Sequence, residues 1–429
     1  MKTIYVARSR VEGEVEAPPS KSYTHRAFAL ASLITEKTTI HNPLLSRDTH
    51  ATINASRMLG VKIEQKQKSF EIMGLRRFQT PDNVIDVMNS GTTLRIYTGL
   101  AALVEKGYTV FTGDESIRRR PMAPLLQSLK QIGVECWSTR ENGRAPIVVK
   151  GGNKIGGHTL IKGTESSQFV SSLLITGLAA DDEITVTIED ELVSRPYVEA
   201  TVEMIRFFDG EISREDFREF RVWPQNLAGK DFVVPGDFSS AAFMAAAAHV
   251  TEGRIVVKNL STRFPQADAK IVEILRLFGS DVQFTSEGLV VEGRRKPANV
   301  EVVLTDCPDL LPVTAAVAAI NDGITIIKGV AHARLKESDR ISTVASNIRK
   351  LGVKVEERVD GLTIEGPSKT QGRVTVDSYG DHRLFMAFTV LGLGLEKGLS
   401  IVDPGSADVS YPSFLSDLKK IGAKISEPV

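Results

Sequence analysis

The chain of 429 residues has only two cysteines, Cys136 and Cys307, which make neither a disulfide framework nor a thiolate metal spacing. It has no Walker loop and no Gly-x-Gly-x-x-Gly fingerprint, which excludes the common phosphate cradles of nucleotide enzymes. No metal constellation and no Ser-His-Asp order stands out either. An excess of one charge sign is also missing: 53 Lys+Arg balance 53 Asp+Glu, so no global field draws in nucleic acid or a membrane. Any anion site must be a local concentration of basic side chains. The apolar runs are too short to span a bilayer, and low-complexity stretches are absent. The opening residues Met1-Lys2-Thr3-Ile4-Tyr5-Val6-Ala7-Arg8 lack the apolar stretch of a signal peptide. These absences lead us to expect a soluble cytoplasmic protein with no nucleic-acid or membrane partner. The composition, 42% hydrophobic and 25% charged, is that of a globular protein, and the length suggests two or three domains.

What the chain does have is a sixfold repeat. Polar loops open into almost purely apolar helices at Ser22, Gly91, Ser167, Ser239, Asp309 and Asp381. A helix apolar on every side is buried, and its N-terminus attracts anions through unpaired N–H groups and the helix dipole. Six such ends suggest a small, multiply charged anion as ligand. Each unit closes with an apolar residue, a Gly-containing turn and a short strand, from Leu59-Gly60-Val61 to Ile421-Gly422-Ala423. Between these landmarks lies a β-rich run such as Ile184-Thr185-Val186-Thr187-Ile188, then an amphipathic helix. Pro121, Pro196, Pro265 and Pro412 read as N1 residues of those helices. A period of about seventy residues exceeds that of open solenoids, so a closed α/β architecture is expected. Pro18-Pro19 and Pro224-Gln225-Asn226-Leu227-Ala228-Gly229 read as the two crossings between domains of three units each. The expected division is therefore 1–18 plus 231–429 as one discontinuous domain and 19–230 as an inserted one.

Chemistry should reside where residues depart from the repeat. The first start carries Lys21 and Arg26 around Ser22; Arg26 lies one helical turn along and, in an apolar helix, calls for an anion partner. Gly91 would admit a ligand close to the backbone, although a tight turn explains it equally. Ser166-Ser167-Gln168 supplies two hydroxyls and an amide, more than one N-cap needs. Asp237-Phe238-Ser239-Ser240 has no basic residue and reads as a cap. Asp309 is either a cap or a carboxylate general base. Asp381-His382-Arg383 packs three ionisable groups before an apolar helix, which favours an anion partner for Arg383. Of Arg118-Arg119-Arg120, one or two are solvated and the rest suit bidentate binding of phosphate or carboxylate. Lys336-Glu337-Ser338-Asp339-Arg340 and Ser194-Arg195-Pro196-Tyr197 open the matching amphipathic helices. The set suits acid–base chemistry on two small anionic substrates without a cofactor.

In order along nearly the whole chain, Pro19-Ser20-Lys21-Ser22 with Arg26, Asn89-Ser90-Gly91-Thr92, Arg120-Pro121-Met122, Ser166-Ser167-Gln168, Ser194-Arg195-Pro196-Tyr197, Lys336-Glu337-Ser338-Asp339-Arg340 and Asp381-His382-Arg383 resemble the 5-enolpyruvylshikimate-3-phosphate synthase family. The resemblance implies a two-domain inside-out α/β barrel of six βαβαββ repeats. It implies transfer of the enolpyruvyl group of phosphoenolpyruvate to the 5-hydroxyl of shikimate 3-phosphate, the sixth step of the shikimate pathway, by a monomer. On it, Lys21, Ser22, Arg26, Ser166, Ser167, Gln168, Ser194, Tyr197, Asp309 and Lys336 would bind shikimate 3-phosphate. Lys21, Gly91, Arg120, Gln168, Arg340, His382 and Arg383 would bind phosphoenolpyruvate. Asp309 would act as base on the 5-hydroxyl and Glu337 as proton donor to the methylene, with Lys21 beside them. A carboxyl kept protonated by burial can deliver a proton, and pairing with Lys336 and Arg340 would oppose that. The crossings and the anion loops in both halves lead us to expect closure on the substrates.

The chain departs from the family pattern at Val409, where many relatives carry a lysine facing phosphoenolpyruvate, and at His332, where an asparagine is common. Two other readings compete. The sister family that transfers enolpyruvate to UDP-N-acetylglucosamine usually has a reactive cysteine in the loop corresponding to 112–117, and here Thr112-Gly113-Asp114-Glu115-Ser116-Ile117 has none. A repeat-built protein that only binds phosphorylated metabolites would not need Asp309 or Glu337.

Overall fold

A computed structural model describes residues 2–368 and 372–426. Six buried helices form its skeleton: Lys21–Ala31, Gly91–Leu100, Ser167–Gly177, Phe238–Thr251, Leu311–Ile320 and His382–Gly394, here the first to sixth core helices. Their composition dictates their place. In the fourth, every residue from Ala241 to Ala248 is 0% exposed, so the helix has no water-facing side. Side-chain caps start four of these helices. Ser90 Oγ accepts from Thr93 N, Ser166 Oγ from Gln168 N, and Asp237 Oδ1 from Ser239 N and Ser240 N. Asp381 Oδ1 accepts from Arg383 N, whereas Ser20 precedes the first core helix without a side-chain cap bond. Asp309 is not a helix cap: it lies in the 3-10 turn Pro308–Leu310 ahead of the fifth core helix.

Six four-stranded sheets accompany the helices, all with one topology. The first strand of each runs parallel to the second, which runs antiparallel to the fourth, and the fourth pairs antiparallel with the third; Gly157–Ile161, Ile184–Ile188, Ser213–Glu215 and Glu219–Val222 are one example. In four of the sheets a core helix connects the parallel pair, in the other two one parallel strand comes from beyond a crossing between units, and an amphipathic helix such as Arg195–Phe207 follows the second strand. This is the βαβαββ unit. Strands such as Ile184–Ile188 alternate buried and half-buried residues, so one face covers the core helices and the other meets water. Fully burying each Leu, Ile or Phe on these faces stabilises by roughly 1.5–3 kcal/mol.

Two compact units divide the chain: Met1–Pro18 with Gly236–Thr262 and Gln266–Val429 (the terminal unit), and Pro19–Pro235 with Arg263–Pro265 (the inserted unit). The second crossing lies at 235/236 rather than 230/231 because Asp231–Val233 pairs in parallel with Lys37–His41 as an edge strand of the inserted unit. In the terminal unit, Thr3–Ala7 lies between Leu399–Val402 and Lys424–Ser426, and Glu12–Glu16 pairs with Arg254–Lys258. The first eighteen residues thus complete one sheet and open another. Three of the four prolines expected at N1 fall outside their helices: Pro121 precedes Ala123–Gln131, Pro265 precedes Ala267–Lys270 and Pro412 precedes Phe414–Lys420. Pro196 does occupy the first turn of Arg195–Phe207. Among the described residues no helix is long and apolar enough to cross a membrane.

Candidate active site

In the terminal unit, one guanidinium organises three carboxylates. Arg340 begins the amphipathic helix Arg340–Lys350, and its side chain is 1% exposed. Nη1 donates to Asp309 Oδ1 at 2.6 Å, Nη2 to Glu337 Oε2 at 2.7 Å and Nε to Asp381 Oδ2 at 2.8 Å. Arg383, in the first turn of the sixth core helix, pairs with the other Asp309 oxygen at 2.7 Å. Ser338 Oγ adds a bond to Asp381 Oδ2 at 3.1 Å. Burial opposes the charge of Arg340, but Asp381, Glu337 and Asp309 raise its pKa well above the ordinary value. Burial would likewise raise the Asp309 carboxyl; Arg383, Arg340 and Lys336 outweigh it and hold the group far below the usual carboxylate range. His382 is buried with Nδ1 4.0 Å from Asp381 Oδ1. His332 is buried too, and desolvation followed by Lys336 pushes its imidazole down to about 3, so it is neutral at physiological pH. Arg383 and Asp309, both singled out by the sequence, are thus ion-paired with each other.

The inserted unit carries most of the other candidates, at the starts of its three core helices and of the amphipathic helices Ala123–Gln131 and Arg195–Phe207. Lys21 Nζ lies 3.3 Å from Asp48 Oδ2. Arg26 is fully buried, yet its partners are neutral: Nε donates to Thr201 Oγ1 at 2.8 Å, Nη2 to the Tyr197 carbonyl at 2.8 Å and Nη1 to the Ser22 carbonyl at 3.0 Å. Within the protein, oriented carbonyl dipoles and a hydroxyl hold the guanidinium, and burial lowers its pKa only to about 10, which leaves Arg26 charged at neutral pH. Gln168 Oε1 accepts from Arg95 Nη1 at 2.7 Å, while its Nε2 donates to Thr92 at 2.9 Å, so the amide bridges the second and third core helices. A Cβ on Gly91 would overlap Arg120 Nη1, so the glycine makes room for that guanidinium. Arg120 is buried whereas Arg118 and Arg119 are exposed, as a partly solvated arginine run requires. Ser194 is buried with φ +56°, a left-handed conformation that stores roughly 1–3 kcal/mol of strain in a non-glycine residue. Ser166 and Ser167 flank it in role as buried hydroxyls of the third helix start, and Ser22 and Tyr197 remain half-buried.

Sequence reasoning missed Asp48, Arg95 and the role of Asp381 as a second anchor for Arg340. Asp48 had a faint signal, an acid in the first turn of the helix Arg47–Met58, which is also what a dipole-stabilising residue looks like. Val409 is buried at the end of the 3-10 turn Pro404–Val409.

Six βαβαββ units in two groups of three, with buried arginine–carboxylate pairing at helix starts, define the two-domain inside-out α/β class of enzymes. The family model described as EPSP synthase (3-phosphoshikimate 1-carboxyvinyltransferase) matches residues 6–418, and the chain belongs to that family. It is 45% identical over 426 residues to 3-phosphoshikimate 1-carboxyvinyltransferase of Methanocella arvoryzae, covering 98% of this chain and 99% of that protein. The protein of the same name from Korarchaeum cryptofilum is 41% identical over 422 residues, with 98% and 99% covered. A solved structure of EPSP synthase from Acinetobacter baumannii superposes with a TM-score of 0.83 at 25% identity, covering 100% of both chains.

Proposed function

We propose that this chain transfers the enolpyruvyl group of phosphoenolpyruvate to the 5-hydroxyl of shikimate 3-phosphate and releases phosphate. The observation that carries the reading is the Arg340 cluster, in which two arginines and three carboxylates share one buried site. In this reading Glu337 protonates the phosphoenolpyruvate methylene, which leaves a cation-like C2. The 5-hydroxyl oxygen bonds to C2 and its proton passes to Asp309. The new methyl group then returns a proton to Glu337 as the C–O bond to phosphate breaks, which forms the enol ether, and the departing phosphate takes the proton held by Asp309, so both carboxyls end as they began. Arg340, Arg383 and Arg120 hold the phosphate and carboxylate of phosphoenolpyruvate, with Lys21, Gly91, Gln168 and His382. Ser166, Ser167 and Ser194 hold the phosphate of shikimate 3-phosphate, with Lys21, Ser22, Arg26, Gln168, Tyr197, Asp309 and Lys336 completing its site.

The ion pairs suggest when the base becomes strong. Asp309 bound by two guanidiniums is a feeble proton acceptor. A substrate phosphate or carboxylate that engages Arg340 and Arg383 withdraws part of that pairing, so basicity rises only with substrate present. The test is a pair of variants, Asp309→Ala and Glu337→Gln. Each should lower kcat by roughly 100-fold or more, the scale of general acid–base catalysis, while shikimate 3-phosphate still binds. Undiminished phosphate release by either variant would remove that residue from its role.

A further inference from the structure

The strand Gly323–Lys328 leads into a loop, 329–339, that carries Lys336 and Glu337 to the start of the helix Arg340–Lys350. A hairpin turn on the far side of this loop, between Lys354–Arg358 and Gly361–Gly366, buttresses it. Val330 N donates to the Asp360 carbonyl and Gly329 N to Asp360 Oδ2, both at 2.9 Å. Arg334, in the 3-10 turn Ala331–Leu335, adds four more bonds from one side chain. Nη2 donates to the Arg358 carbonyl at 2.7 Å and Nε to the Val359 carbonyl at 3.1 Å. Nη1 donates to Glu357 Oε1 and to Asp339 Oδ2, each at 2.9 Å. Asp339 in turn caps the helix, its Oδ1 accepting from Ser342 N at 3.1 Å, and Ser342 Oγ donates to Glu357 Oε1 at 2.6 Å.

These bonds close residues 334–339 into a ring. Arg334 and Asp339 are joined through their side chains, so Leu335, Lys336, Glu337 and Ser338 form a short arc between two fixed points. On the site side the arc is tied where Glu337 Oε2 meets Arg340 Nη2 and Ser338 Oγ meets Asp381 Oδ2. A substrate anion that engages Arg340 weakens the first of those ties at the moment Glu337 must deliver its proton. The hold from the hairpin side does not depend on Arg340. We infer that Arg334 is a positioning residue for enolpyruvyl transfer, fixing the arc so that the Glu337 carboxyl keeps one orientation when substrate loosens its ion pair. An isolated ion pair as exposed as Arg334 and Asp339 would contribute little to stability. A fork that spans two carboxylates and two carbonyls instead removes freedom from a reacting group, and a misplacement of about 1 Å there costs on the order of 100-fold. The inference rests on the enolpyruvyl-transfer reading, in which Glu337 is the proton donor.

Arg334→Gln keeps a polar side chain and loses the fork. With both substrates saturating, its kcat for phosphate release should fall at least about tenfold. Arg334→Lys should fall as far, because an ammonium keeps the charge but cannot span four acceptors; recovery of kcat by lysine overturns the fork. A cycle with Glu337→Gln separates positioning from general support of the fold. In that background Arg334→Gln should cost less than about twofold more, since the group it positions is gone. Equal losses in both backgrounds, or a lowered Tm with kcat unchanged, overturn the inference. Lysine-specific proteolysis reads the arc without activity. Cleavage after Lys336 in the folded protein should be several-fold faster in Arg334→Gln than in wild type, and an unchanged rate contradicts the hold on the arc. Wild type that releases no phosphate, or Glu337→Gln that releases it undiminished, sinks the underlying reading instead, and the proteolysis still decides the arc. If Arg334→Gln does not fold, Glu357→Gln cuts the hairpin's grip alone. It should lower kcat in wild type and not in the Glu337→Gln background, and an unchanged kcat contradicts the inference.

Discussion

Arg340 and Arg26 are equally buried, but one lies among three carboxylates and the other among two carbonyls and a hydroxyl. A buried guanidinium is expensive to leave unmatched, and both solutions meet that cost. They differ in what they leave available. The carboxylates around Arg340 are themselves reactive groups, and its pairs can be exchanged for substrate oxygens. Gly91 makes a sharper residue-scale case. Because a Cβ there overlaps Arg120 Nη1, Gly91→Ala should displace that guanidinium and raise KM for phosphoenolpyruvate several-fold, on the order of 1 kcal/mol. Steady-state kinetics with each substrate varied checks this, and an unchanged phosphoenolpyruvate KM would show that Arg120 relaxes without consequence. Arg26, Arg383 and Asp309 were legible as unusual because charge broke an apolar pattern. Their partners were not, since Asp309, Arg340 and Asp381 are separated by 31 and 41 residues and no local rule joins them.

Among elements, the six core helices were the most legible feature, since unbroken apolar stretches behind a polar start have no other stable home than a buried helix. The prolines misled: Pro121, Pro265 and Pro412 end loops one or two residues before their helices, a placement that sequence alone does not separate from N1. The far end of the fourth core helix carries a titration prediction. His249 Nδ1 meets Ser280 Oγ at 2.8 Å and Nε2 meets Asn321 Oδ1 at 2.9 Å, tying the helix to a turn and to the end of the fifth helix. Burial lowers the His249 pKa to about 4 from 6.5. The unfolded chain therefore binds more protons between those values, and stability present above pH 6.5 is lost as pH falls toward 4. The loss amounts to ~3 kcal/mol at most. Urea unfolding at several pH values should show this slope in wild type and a shallower one in His249→Gln. Equal slopes would place the acid sensitivity elsewhere.

Taken whole, the chain carries equal numbers of acidic and basic residues, so attraction of its anionic substrates must come from local arginine and lysine groups and not from net charge. The repeat supplies six similar helix starts, and irregular charge makes five of them candidates for chemistry. Both units contribute such residues, which is why a binding protein without turnover and an enzyme share most of this architecture. Only the carboxylates Asp309 and Glu337 separate them. The departure at Val409 adds no cation, so the proposed phosphoenolpyruvate contacts rely on Lys21, Arg120, Arg340 and Arg383. The most direct test of the central claim is phosphate release by the purified chain with phosphoenolpyruvate and, in parallel, shikimate 3-phosphate or UDP-N-acetylglucosamine as acceptor. Release with shikimate 3-phosphate and none with the sugar nucleotide is the predicted result. Release only with UDP-N-acetylglucosamine, or with neither acceptor, would contradict it.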